Sequence, residues 1–150
     1  MTREHLAEVL GDVARAGVYN LPHDGIDGIG DLGAAAEDRE LAMFRLNLQG
    51  VATKDGFIDT VASSLHFPDW FGRNWDALED CLTDMSWHPA PGYLVILTHA
   101  DAFRTKEEDN FVLALRIFQS AAESWRSEGV PFWTLVELRP NGVAFLADLP

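Results

Sequence analysis

Six consecutive residues, Tyr93-Leu94-Val95-Ile96-Leu97-Thr98, carry no charge and leave no polar position inside the run. Successive side chains of a strand point to opposite sides, so a strand with this composition is apolar on both. It is stable only in a sheet covered on both faces, as in parallel sheets whose crossover helices pack against them. The run therefore predicts an α/β fold with a short, mostly parallel sheet and helices packed on it.

The flanking segments supply the required alternation. Leu6, Val9, Leu10 and Val13 recur at helical spacing and predict a helix over Thr2–Ala16, with Thr2 as N-cap and Gly17 as terminator. Val18–Leu21 reads as a short strand, stopped by Pro22 and a turn-rich loop to Gly33. A brief helix is expected over Asp31–Glu40, and a strand over Leu41–Leu48. Phe57, Ile58, Val61, Ala62 and Leu65 share one face of a helix over Lys54–Leu65. A further helix over Asn74–Met85 is bounded by Pro68 and Gly72 before it and by Pro89 and Pro91 after it. A long helix over Lys106–Ser127, with Phe111, Leu113, Leu115, Phe118, Ala122 and Trp125 as its apolar positions, closes at Gly129. Pro131–Leu138 reads as the last firm strand, and Val143–Leu146 as a further one behind the Asn141-Gly142 turn.

The 150 residues suit a single domain over residues 1–150, large enough to bury a core without disulfides or structural metal. Cys81 is the only cysteine and cannot form an internal disulfide; an unpaired thiol suits a reducing compartment. The opening residues lack the apolar core of a signal peptide, and no stretch reaches the length of a membrane span, so a cytoplasmic protein without membrane association is expected. A net charge of −13 repels nucleic-acid phosphates and anionic lipid and attracts basic partners, so direct nucleic-acid binding is not expected. The charge is unevenly spread. Residues 69–84 hold five acidic residues against one arginine, whereas acids and bases balance over residues 41–68.

At about 100° per residue, the helix over Asn74–Met85 separates into two faces. Leu78, Cys81, Leu82 and Met85 fall on one side, and Asp76, Glu79, Asp80 and Thr83 on the other. Neighbouring like charges on a helix cost about 0.2–0.5 kcal/mol per pair, so the acidic face costs the free helix stability. Ahead of it stand Phe67, Trp70, Phe71 and Trp75. Aromatic rings beside unpaired carboxylates suit a recognition surface, with charge steering the encounter; Phe67, Phe71 and Trp75 suit equally a core beneath a solvated face. Gly72 is expected to supply a positive φ or a close backbone approach.

The ungapped stretch FPDWFGRNWDALEDCLTD, Phe67–Asp84, resembles the signature of the barstar family, intracellular inhibitors of a secreted bacterial guanyl-specific ribonuclease. A weaker likeness extends over residues 41–138, leaving residues 1–40 as an N-terminal extension of helical and strand character. The resemblance implies a three-layer fold and a face, formed by this helix and the preceding loop, that plugs the nuclease active site. It implies that Asp80 replaces a substrate phosphate, with Asp76 one turn earlier, and that Trp70, Phe71, Gly72 and Asn74 meet the enzyme from the loop. With Trp75 and Glu79, these residues form the expected partner-binding set. A carboxylate aimed at the Arg, Lys and His of a ribonuclease site makes short, charge-assisted hydrogen bonds.

This chain also departs from the family pattern. Glu79 replaces a tryptophan, Trp70 and Phe71 replace paired tyrosines, and Ser124 with adjacent Glu123 stands near an acidic contact on the last long helix. These changes point to a small basic ribonuclease other than the prototype's partner, or to a related toxin. The alternative is an interaction module of the same fold that binds a non-nuclease basic protein.

Catalysis is the reading from another class, since Asp76 and Asp80 could hold Mg²⁺ or act as an acid/base pair. One helix face without a third group in a cleft is a poor catalytic arrangement. The five histidines show no zinc-ligand spacing, Cys81 lies on the apolar helix face, and the glycines at 25, 28, 30 and 33 make no nucleotide-binding fingerprint. No catalytic residue, metal or cofactor is expected.

Overall fold

In a computed structural model, which describes residues 3–21, 28–137 and 146–150, four strands form one all-parallel sheet. They are β1 (Val18–Asn20), β2 (Ala42–Asn47), β3 (Tyr93–Thr98) and β4 (Phe132–Val136), in the order β1-β4-β3-β2. The apolar run is the whole of β3, and all six of its residues are buried. It pairs with β2 on one side and β4 on the other, Val95 lying opposite both Phe44 and Thr134.

The helices are α1 (Arg3–Leu10), α2 (Gly28–Asp38), α3 (Lys54–Ser64), α4 (Trp75–Asp84), α5 (Asp101–Lys106) and α6 (Glu108–Arg126). The path from β2 through β3 to β4 crosses the sheet in one direction, and the step from β1 to β2 runs the opposite way. Crossovers of one hand then require helices on opposite faces, which is the arrangement found. Phe44, Leu46, Tyr93, Val95, Leu97, Phe132 and Val136 face a core shared with α3, α4, α5 and α6. Leu94, Ile96, Trp133 and Leu135 face a second core, closed by Leu6, Val9 and Leu10 of α1 and by Leu32, Ala35 and Ala36 of α2. The expected α/β architecture of three layers is present. Residues 18–20 of the N-terminal extension join the same sheet, and the buried Trp133 Nε1–H donates to Leu10 O at 2.9 Å.

Several local expectations need correction. The first helix stops at Leu10, not Ala16; a 3₁₀ turn over Val13–Arg15 follows, with the Asp12 side chain accepting from Ala14 N–H. Gly11 allows Arg39 to lie across the chain there, because a Cβ at Gly11 would stand 2.9 Å from the guanidinium; Arg39 Nε–H donates to Ala7 O at 2.7 Å. The second helix begins at Gly28, inside the stretch read as loop. Its Leu32, Ala35 and Ala36 bury against α1 and the sheet, and this packing outweighs the poor helix propensity of Gly28, Gly30 and Gly33. The long helix is present as α6, within two residues of the expected Lys106–Ser127; the short α5 ahead of it, separated at Glu107 by φ −134 and ψ 54, adds to the expected elements. Leu113, expected inside, is 37% exposed. Thr2, residues 22–27 of the Pro22–Gly33 loop, the Asn141-Gly142 turn and all but Leu146 of the expected last strand lie outside the described residues. Gly92 sets the start of β3, since a Cβ there would meet Leu41 at 2.4 Å and Pro131 at 2.8 Å.

Candidate functional site

Helix α4 begins where Asn74, in an extended conformation, turns its side chain back to accept from Ala77 N–H at 2.7 Å. The amide of Asn74 also donates to Gly72 O at 3.3 Å, tying the helix start to the preceding loop. Met85 ends the helix in a left-handed conformation, φ 49 and ψ 24, with its N–H donating to Cys81 O. Between these caps, Leu78, Cys81, Leu82 and Met85 are buried, as their helical spacing predicts. Trp125 of α6 donates its indole N–H to Leu82 O at 2.8 Å, fastening α4 across the layer. Seven helical residues of α4 therefore remain for solvent or for positions near it.

On the outward face, Asp76 and Asp80 are exposed and Glu79 and Thr83 are half-buried. The Thr83 hydroxyl donates to Glu79 O at 2.9 Å and to Asp80 O at 3.1 Å, so it serves the helix backbone and leaves the carboxylates alone. The ion pairs Arg15–Asp12 and Arg73–Asp59 do not touch this face. The charge nonetheless reaches inward. The Cys81 thiol is pushed up from 9.0 to about 11, first by burial and then by the negative fields of Asp84 and Asp80. Cys81 is thus a neutral core thiol at physiological pH, without nucleophilic character.

The preceding loop carries the aromatics, and the structure divides them. Trp70 is 67% exposed. Phe71 is half-buried with its ring 5.0 Å from that of Phe67, and Trp75 is half-buried 6.1 Å from Phe57 with Lys54 Nζ over its ring at 5.7 Å. Trp75 thus mounts α4 on α3, while Trp70 is exposed on the surface. Gly72 has neither expected property: its φ is not positive, and a Cβ there would make ordinary contacts at 3.5 Å with Ala77 and Asn74. The left-handed residue is its neighbour Arg73, φ 54, whose guanidinium donates to Asp59 Oδ1 at 2.9 Å. Loop and α3 enclose a groove of about 410 Å³ lined by Asp59, Phe67, Asp69, Phe71 and Arg73.

Two residues beside this face went unassigned in the sequence. Arg73 lies inside the Phe67–Asp84 stretch, but the resemblance assigns it no contact. Trp87 follows α4 and sits with its ring 5.6 Å from Phe67 and 6.4 Å from Trp70; its only signal was an aromatic residue stranded between a helix end and Pro89. Among the described residues, no group of three His, Cys, Asp or Glu side chains is placed to hold a metal ion, and no helix is long and apolar enough to cross a membrane.

Comparison with known proteins bears on this arrangement. Residues 41–137 match the family described as Barstar (barnase inhibitor). A Bacillus subtilis (strain 168) protein named "Putative ribonuclease inhibitor YrdF" is 36% identical over 72 residues, which are 47% of this chain and 74% of that protein. Two solved structures share the fold at low identity: one of Drosophila ORC bound to DNA, with TM-score 0.61 and 18% identity, and the Aeropyrum pernix ORC2 protein, with TM-score 0.57 and 14% identity. Each likeness covers 97% of this chain, which spans 40% of the length of either structure, and it concerns the fold alone. With almost the whole of residues 41–138 matched, including every residue of the acidic helix and its loop, the chain belongs to the barstar family.

Proposed function

We propose that this protein is a non-catalytic inhibitor of a small basic ribonuclease or a related toxin, and that it presents α4 to the enzyme's active site. Asp80 takes the place of a substrate phosphate, Asp76 supports it from one turn earlier, and Trp70, Phe71, Gly72 and Asn74 meet the rim of the site. Trp75 and Glu79 complete the contact region. The observation that carries this reading is the state of Asp76 and Asp80: exposed, four residues apart on a helix capped at both ends, and outside the ion pairs of the described residues. A fixed carboxylate with no internal counter-ion needs no rearrangement to meet an arginine or histidine cluster, and its charge-assisted hydrogen bonds strengthen as water leaves the interface. The match to the barstar family and the inhibitor-named relative support the same class of partner.

The test is inhibition of barnase and a panel of small basic bacterial ribonucleases by the wild type, Asp80→Asn and Asp80→Ala. Truncating one member of a buried, hydrogen-bonded charge pair across an interface costs about 2–5 kcal/mol, a range to which the barnase–barstar pair itself contributes. Both variants should therefore lose at least about thirty-fold in affinity, while their thermal stability stays within about 0.5 kcal/mol of wild type, as for other exposed positions. Equal inhibition by Asp80→Asn and wild type would remove the phosphate-mimic role.

A further inference from the structure

The direction of Trp70 is set by residues outside the expected contact set. Its loop is bracketed by two non-glycine residues in the left-handed region, His66 at φ 56 and Arg73 at φ 54. Such conformations persist only where the surroundings hold them, and they concentrate at sites of recognition and catalysis. Arg73 is held from α3 by Asp59. The other hold comes from the far end of α4. The left-handed cap at Met85 turns the chain back, His88 N–H donates to Met85 O at 3.0 Å, and Trp87 is delivered beneath the loop. There its indole N–H donates to Leu65 O at 3.1 Å, its ring lies nearly perpendicular to Phe67, and Trp70 meets it at 6.4 Å and 85°.

We infer that Trp87 is a positioning residue: anchored to the end of α3 and to Phe67, it fixes the exposed ring of Trp70 beside the acidic face, ready for the partner. This rests on the reading of Trp70 as a contact residue. A ring that is 67% exposed and supported only by its own loop would rotate freely and lose that freedom on binding. One ordered in advance by an edge-to-face neighbour does not, and Trp87 makes such a contact at a separation within the usual 4.5–7 Å range. Trp87 is half-buried and touches Trp70 from below, so it acts through Trp70.

The experiment is a double-mutant cycle with a partner-free arm. Affinity for the tightest-binding ribonuclease of the panel is measured for Trp87→Leu and Trp87→Phe, each in the wild-type and Trp70→Ala backgrounds, with Asp80→Ala alongside. Trp87→Leu should weaken binding roughly three- to ten-fold in the wild-type background, the range of one lost aromatic pair, and by less than about 1.5-fold where Trp70 is already alanine. Trp87→Phe should restore most of the loss. An equal loss in both backgrounds would mean a merely structural role and overturn the inference. In the free protein, the ¹⁵N heteronuclear NOE of the Trp70 indole should match the backbone in wild type and fall in Trp87→Leu; a wild-type Trp70 as mobile as in the variant also overturns it. The Asp80→Ala arm, or failure of the whole panel to bind, bears on the proposed function, while the NOE decides the role of Trp87 by itself.

Discussion

Replacing Asn74 with alanine isolates the contribution of one capping bond to the proposed recognition helix. Asn74 Oδ1 accepts from Ala77 N–H at 2.7 Å, and the residue is exposed, so alanine leaves that N–H to water and opens no cavity. N-cap replacement by alanine costs about 1 kcal/mol. For a chain of 150 residues, that energy lowers the melting temperature by about 2–4 °C. Serine keeps an acceptor at the cap and loses only the weaker 3.3 Å bond to Gly72 O, so Asn74→Ser should stay within about 0.5 kcal/mol of wild type. Thermal and urea unfolding followed by circular dichroism at pH 7 measure both variants. Because Asp76 lies in the turn that the cap secures, Asn74→Ala should also weaken partner binding, and serine should recover the part that is due to helix fraying. A melting temperature unchanged in Asn74→Ala, or a serine variant as unstable as the alanine one, would refute the assignment of Asn74 as the cap that holds this face in place.

Other expectations follow from the same geometry. Association with a basic ribonuclease should slow steeply between 10 mM and 500 mM salt, since screening lengths fall from about 30 Å towards a few ångströms over such a range; stopped-flow rates independent of salt would contradict electrostatic steering. Cys81 should resist thiol reagents in the native protein at pH 8 and react on unfolding, because its thiol lies well above that pH at about 11; rapid native labelling would contradict its burial. The raised thiol value also fixes a sign: its contribution to stability is intact below pH 9 and is lost as pH rises from 9.0 towards about 11, where the unfolded chain releases the proton first. Urea titrations of wild type and Cys81→Ala over that window should differ in slope, the wild type falling faster. Deleting residues 1–40 uncovers Leu94, Ile96, Trp133 and Leu135 together, and the product should bind a hydrophobic dye or aggregate rather than give a cooperative transition.

What the sequence made legible was whatever depends on local periodicity. The six-residue apolar run determined both the strand and the need for cover on two sides, and the two faces of α4 separate as 100° spacing requires. Long-range packing was hidden. The early stop of α1 depends on Arg39 lying across Gly11, and the helix through Gly28, Gly30 and Gly33 depends on small residues fitting against α1, neither of which a local window contains. The short helix α5, set apart from α6 at Glu107, has no proline or glycine to announce its end. At the proposed site, charges and aromatics were visible as composition, but their division was not: only the fold shows Trp75 packed on Phe57, Trp70 left outside, and Arg73 instead of Gly72 in the left-handed conformation. Trp87 lies thirteen residues from Asn74 along the chain, across the length of the helix, and no spacing rule connects the two ends.

The position of β1 has a consequence for synthesis. This strand is made early, yet its ladder partner is β4, and Val18 stands opposite Thr134. Until residue 136 has left the ribosome tunnel, β1 has no neighbour in the sheet, and the apolar sides of α1 and α2 have neither Trp133 nor Leu135 to settle on. The acidic helix is translated before β4 but gains its fastening from Trp125 on α6, also late. Nascent chains should therefore stay protease-sensitive until β4 has emerged and then become resistant in one step.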